Sequence, residues 1–187
     1  VISMSLGFCE QQLLYPSSTF LFEKLLKRAA ALGVTVTAST GDTGISGCRD
    51  AITAYGITVP NALPIQSVNY PASSVWATAV GGSSLSLNAD NTINNETAWN
   101  DWAFLYEAPA STGSAFTNAG GTSIGAPMVG GIATLLNQYR RAKNKPRLGH
   151  IAPLLYSYRS NIYGVTRDIN TGSIDTAAQL YYGPPLY

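Results

Sequence analysis

Charge is scarce in this sequence. Only 11% of its 187 residues are Asp, Glu, Lys or Arg, against roughly 25% in an average soluble protein. The 11 basic side chains nearly cancel the 10 acidic ones, and no long run of either sign offers a footprint for nucleic acid or an anionic membrane. The one basic cluster, RRAKNKPR at 140–147, reads as a solvated helix end and loop, because cations suit a helix C-terminus. No apolar run approaches the ~20 residues that span a bilayer, and the opening VISMSLGF lacks the basic start of a signal peptide. With no initiating Met, the chain is expected to begin inside a longer precursor. Two cysteines, Cys9 and Cys48, exclude a cysteine-rich scaffold and leave either one bridge or two buried thiols. Histidine is rarer still, with His150 alone.

What is present is apolar and loop-bearing. Apolar residues make up 45% of the chain, enough to bury a core, and the length fits one domain, residues 1–187, with no internal repeat. Val1 to Leu6 reads as a short buried strand. From Phe20 to Leu32, the residues Phe22, Leu25, Leu26, Ala29 and Leu32 recur at helical spacing. Ser17 or Ser18 can cap that helix, Glu23 and Lys27 form an i,i+4 pair, and Gly33 suits its stop. VTVTA at 34–38 is a second strand. Strand, crossover helix and strand of this apolar type predict a parallel α/β fold. VWATAV at 75–80 predicts another strand, 86–121 is mostly loop and short strand, and 123–139 is a helix buried on most of its faces.

Two places can carry chemistry. STGDTG at 39–44 follows the second strand at its carboxyl end, where open parallel sheets bind ligands, and this places Asp42 there. GGTSIGAPMVGG at 120–131 sets Ser123 after a glycine-rich turn at the start of a helix whose first turn tolerates Pro127. The unpaired N–H groups and partial positive charge of a helix N-terminus favour the anions of acyl transfer. A plain capping Ser and a plain Asp turn are the structural alternatives. A Gly-Thr-Ser before a helix, with Asp42-Thr43-Gly44, also suggests subtilisin-like enzymes. Their triad needs a His, and His150 lies downstream of Ser123 with no other His upstream.

The ordered motifs resemble the sedolisin (serine-carboxyl peptidase) family over nearly the whole chain. They are VISMSLGFCE at 1–10, TASTGDTGISGC at 37–48, YPASSVWATAVGG at 70–82, ETAWN at 96–100, GGTSIGAP around Ser123 and RLGHIAPLLY at 147–156. Gly-Asp-Thr for Gly-Asp-Ser at 41–43, and Val-Gly-Gly-Ser for Val-Gly-Gly-Thr at 80–83, are departures that remove no catalytic group. The resemblance is to xanthomonalisin- and pseudomonalisin-like members. It implies a subtilisin-like α/β fold with a mostly parallel sheet and helices on both faces. It also implies a peptide or protein substrate, Ser123 as nucleophile and Asp42 as oxyanion partner. A carboxyl group donates to an oxyanion only while it carries its proton, which explains the acid preference expected of the family.

The same resemblance implies a Glu base and an orienting Asp, one turn apart on an upstream helix in an E-x-x-x-D pattern. They are not here: four residues beyond Glu10, Glu23, Glu96 and Glu107 stand Leu14, Lys27, Asn100 and Ser111. A second chain from the same precursor is expected to supply them; otherwise the fragment is an inactive binding or structural module. YGVTRDINTG at 163–172 resembles the family's calcium site, which maps the carboxylate of Asp168 and the carbonyl of Ile169 onto the ion. YYGPPLY at 181–187 resembles the approach to the loop that completes it and ends before any Asp. A Cys9–Cys48 bridge is favoured by analogy with bacterial members. That bridge and the sequon Asn95-Glu96-Thr97 lean toward secretion. An unrelated α/β hydrolase pairing Ser123 with Lys143 or Lys145 is the remaining alternative.

Overall fold

The computed structural model describes residues 1–10, 16–45, 67–99 and 121–158. Within them run β1 (Ile2–Met4), β2 (Phe8–Cys9), α1 (Pro16–Ala31), β3 (Val36–Ser39), β4 (Asn69–Tyr70), β5 (Thr78–Val80), β6 (Ser83–Leu87), β7 (Ile93–Ala98), α2 (Thr122–Ala142) and α3 (Ala152–Ser157). The central sheet is parallel, in the order β1-β3-β5, with Ser3 opposite Thr37 and Ala38 opposite Ala79. Two antiparallel pairs, β2-β4 and β6-β7, stand beside it.

Strand β3 is buried along its whole length, and its alternating sequence serves two neighbours. Val36 and Ala38 point into a core with Leu26 of α1, Tyr70, Ala72 and Ala77. Thr37, on the other pleat face, donates its hydroxyl to the Ala126 carbonyl of α2 at 3.0 Å. Thr35, just ahead of the strand, donates to the Gly149 carbonyl at 2.6 Å. Helices therefore cover both faces, which a parallel strand requires. In the α1-side core the Tyr70 ring meets Phe22 edge-on at 5.9 Å. Burial, with Glu23 beside it, raises the Tyr70 phenol above its ordinary range and keeps it neutral.

The small residues of α2 permit its close approach to the sheet. Ala126 and Ala133 are buried, and a Cβ on Gly130 would sit 3.5 Å from the side chains of Ser3 and Thr37. The basic tract ends the helix as its charges suggest: Arg140 and Arg141 lie in the last turn, and Arg140 Nε donates to the Pro146 carbonyl at 2.7 Å.

Three boundaries differ from the sequence expectation. Helix α1 begins at Pro16 rather than Phe20, because a proline's fixed φ suits a first turn; Ser17 and Ser18 thus lie within the helix rather than ahead of it. Strand β5 begins at Thr78, since residues 71–77 form successive turns in which Ser74 N–H and Ala77 N–H donate to the carbonyls of Pro71 and Ser74. Residues 83–98 form a hairpin, turned through Asn91 at φ 63.

The buried Thr35 bond yields a direct expectation. Thr35→Val keeps the shape but strands a buried carbonyl, and should lower the unfolding free energy in urea by about 1–3 kcal/mol.

Candidate active site

The site grows from two chain segments that leave the sheet at the same end. Residues 40–45 follow β3, and Gly121 precedes α2. Gly121 has φ 100 and ψ 159, a region open almost only to glycine, and as the N-cap it has no side chain with which to cap the helix. The acceptor comes from elsewhere. Thr122 N–H donates to Asp42 Oδ1 at 2.6 Å, and in return Gly41 N–H donates to Thr122 Oγ1 at 3.0 Å. This is a reciprocal clamp of the capping-box kind, built between segments remote in sequence. Trp99, at the end of the β6-β7 hairpin, donates its indole N–H to the same Asp42 Oδ1 at 2.9 Å.

Ser123 follows Thr122 in the first turn of α2, and it is exposed. Pro127 stands four residues on, in the second turn rather than the first as the sequence suggested. Lacking an N–H, Pro127 cannot bond the Ser123 carbonyl. Ser5 fills that place, its hydroxyl donating to Ser123 O at 2.6 Å. The segment after β1 is thereby tied to the turn that carries the predicted nucleophile.

A cavity of about 630 Å³ opens beside this junction, lined among others by Glu10, Gly41, Val68, Gly81, Trp99 and Thr122. It reaches the immediate neighbours of Ser123 and Asp42. Its described lining is small and mostly uncharged, with Glu10 the one charged residue among the described lining residues.

Other candidates fall elsewhere. His150 follows Gly149, which is bonded to Thr35 at the far end of β3 from Asp42; Nδ1 of His150 is buried without a partner. Lys143 caps the far end of α2, ~30 Å from Ser123 at 1.5 Å per helical residue. Lys145 lies beyond it, so neither lysine serves Ser123. Cys9 is buried and is not a free thiol, while Cys48, Asp168 and Ile169 lie outside the described residues. Among the described residues no cluster of His, Cys, Asp and Glu forms a metal-binding group, and no helix is long and apolar enough to cross a membrane. No local sequence pattern gives Trp99 or Ser5 a role, because their partners Asp42 and Ser123 are distant in sequence.

Residues 1–150 match the family model described as the subtilase family. The chain belongs to the subtilase family. Its place on the sedolisin side follows from its relatives. It is 26% identical over 216 residues to sedolisin of Pseudomonas sp. (strain 101), covering 92% of this chain and 35% of that protein. It is 30% identical over 212 residues to tripeptidyl-peptidase SED2 of Arthroderma otae, covering 92% and 34%. Human tripeptidyl-peptidase 1 is 25% identical over 195 residues, covering 80% and 33%. The chain thus spans about a third of the length of these curated relatives. In three dimensions it is similar to Pseudomonas sedolisin, a serine-carboxyl proteinase solved with two molecules of pseudo-iodotyrostatin. The TM-score is 0.63 at 22% identity, over 92% of this chain and 55% of that one. The subtilisin-like α/β fold expected from the sequence is therefore the fold observed.

Gly121 gives the sharpest test of the junction. A Cβ there would lie 2.8 Å from Asp42 Oδ2 and 3.0 Å from Oδ1. Gly121→Ala should cost about 1–3 kcal/mol of stability from the backbone conformation alone, read as a lowered urea midpoint. Gly131→Ala, where nothing lies within 4 Å, should be neutral or mildly stabilising.

Proposed function

We propose that this chain is the nucleophile-bearing part of an acid-acting serine-carboxyl peptidase. The observation that carries the reading is the Asp42 carboxyl, fixed on Thr122 N–H directly before the exposed Ser123. In this reading Ser123 Oγ attacks the peptide carbonyl and forms an acyl-enzyme. Asp42, protonated at acid pH, donates a hydrogen bond to the oxyanion, assisted by the N–H groups of the first turn of α2. The cavity beside Thr122 receives the substrate's side chains. The general base is a Glu, oriented by an Asp, from a segment outside these 187 residues or from a second chain of the same precursor. No Glu of this chain heads an E-x-x-x-D pattern.

A Cys9–Cys48 bridge belongs to the same reading. The burial of Cys9 and its bonded state support it, and a loop of about 40 residues closed near Asp42 would stabilise the fold by roughly 3–4 kcal/mol in the chain-entropy model. Calcium at Asp168 and Ile169 is proposed from the sequence resemblance, as a structural ion held by oxygen ligands. Secretion fits the proposed bridge.

Intact-mass analysis of the native protein should reveal this chain accompanied by, or joined to, a segment with an E-x-x-x-D helix. In that assembly, peptide hydrolysis should peak on the acid side and fall by at least about a thousandfold in Ser123→Ala. Unchanged turnover would remove Ser123 from the mechanism. Absence of any base-bearing segment from the native protein would favour the second reading, an inactive sedolisin-like binding module.

The calcium proposal is tested separately. A chelator should lower the melting temperature of the full-length protein, with restoration on adding calcium but not magnesium, whose smaller octahedral shell suits such sites poorly. An unchanged melting temperature would count against the site.

A further inference from the structure

We infer that Trp99 is a positioning residue that divides the labour of the two Asp42 oxygens, leaving Oδ2 as the atom that carries the proton. The inference rests on the oxyanion reading of Asp42 and goes beyond it by assigning the donor atom and the group that selects it. Oδ1 already accepts two N–H bonds, from Trp99 Nε1 at 2.9 Å and from Thr122 at 2.6 Å. A proton on Oδ1 would point at one of these donors and break its bond, whereas Oδ2 has no donor among the described residues. A Cβ on Gly121 would come within 2.8 Å of Oδ2 and 3.0 Å of Oδ1, so the missing side chain makes room for the whole carboxyl beside the helix start.

The two donors differ in what they can control. Thr122 N–H comes with the helix and ties the carboxyl to α2. Trp99 approaches from the β6-β7 hairpin, 57 residues along the chain from Asp42, and fixes the carboxyl against rotation about its χ2 axis. With one donor alone the two oxygens could exchange roles, because a free carboxyl torsion is broad and nearly two-fold. With both, the acid proton has one place to reside. Trp99 is also among the residues that line the cavity. Its position is steadied by backbone, since Trp99 N–H donates to the Gly82 carbonyl at 3.1 Å.

The bond can be read in this chain without turnover. Tryptophan labelled with ¹⁵N gives one indole signal for each of the three tryptophans, and Trp99→Phe identifies the signal of Trp99. On acidification that signal should move through a titration that Asp42→Asn abolishes, since Asn keeps an acceptor oxygen and loses the proton. An identical pH course in the parent and in Asp42→Asn would overturn the assignment, whatever the role of Asp42 in catalysis. Should Trp99→Phe fail to fold, the comparison of parent with Asp42→Asn still decides: an indole titration present in the parent and absent in Asp42→Asn supports the bond, and no such difference overturns it.

The catalytic half is tested in the assembly that contains the general base. Trp99→Phe should lower kcat by about tenfold with little change in KM, as expected for a contact that matters in the transition state. Asp42→Asn should cost about a hundredfold or more. If the Trp99 signal follows Asp42 while Trp99→Phe leaves kcat unchanged, the bond is structural only and the positioning role is overturned. If Asp42→Asn also leaves kcat unchanged, the failure lies with the oxyanion reading itself.

Discussion

Strand β3 can be buried on both faces because its two faces bind by different physics. Val36 and Ala38 remove apolar surface from water against α1, where shape rather than direction matters. Thr37 and the preceding Thr35 make directional bonds to carbonyls of α2 and of the segment after it. A valine at either threonine would still be buried, but the position of α2 along the strand would lose its marker. The site depends on that register. Only with α2 held at a fixed height does Thr122 arrive opposite residues 41 and 42, and the loop after β3 then exchanges hydrogen bonds with the helix start.

The helix start solves a problem of backbone accounting. Four N–H groups at an α-helix N-terminus lack partners within the helix, and a side chain at the cap position ordinarily accepts from one of them. Here that position is glycine in a conformation no other residue adopts cheaply. Its service is to bring a foreign carboxyl close, and the foreign carboxyl takes over the cap. Pro127 creates the opposite vacancy, an unmet carbonyl on Ser123, which the Ser5 hydroxyl meets. Two departures from ordinary helix construction thus recruit two other segments of the chain, and both lie beside Ser123.

This explains what the sequence made legible. Ser123 at a helix start and Asp42 at a strand end are local facts, fixed by a glycine, a few apolar residues and the end of a periodic run. Strand β3 and the presence of helices α1 and α2 were readable for the same reason, but burial was not: α2 buries one small-residue face and leaves Ile132, Leu135 and Tyr139 exposed, and Val1, Ile2 and Leu6 of the first strand segment are exposed as well. The start of β5 was not readable either, because Val75, Trp76 and Ala77 are apolar and strand-like in isolation, while the hydrogen bonds of Ser74 hold them in a turn. The hairpin over 83–98 was hidden by its composition: its serines and asparagines are exposed on a two-stranded ribbon. The Trp99–Asp42 bond could not be read at all, since no local pattern joins residues 57 apart in sequence. Motif order told that ETAWN belonged with the others, but not what its tryptophan touched.

The geometry also bears on how Asp42 is held in place. Asp42 has a structural occupation, as cap of α2, that is complete without substrate or base. Its hydrogen bonds to Thr122 and Trp99 hold it in place before any chemistry begins, which is the condition for electrostatic preorganisation: the dipoles need not be rearranged when charge develops. A carboxyl used only in catalysis would need some other restraint, and a carboxyl used only as a cap would need no indole. The presence of both donors on one oxygen is economical if the other oxygen has work to do. Under the proposed function, a base delivered from another segment would meet Ser123 and Asp42 already set by β3, α2 and the hairpin, and its own placement would be the remaining variable.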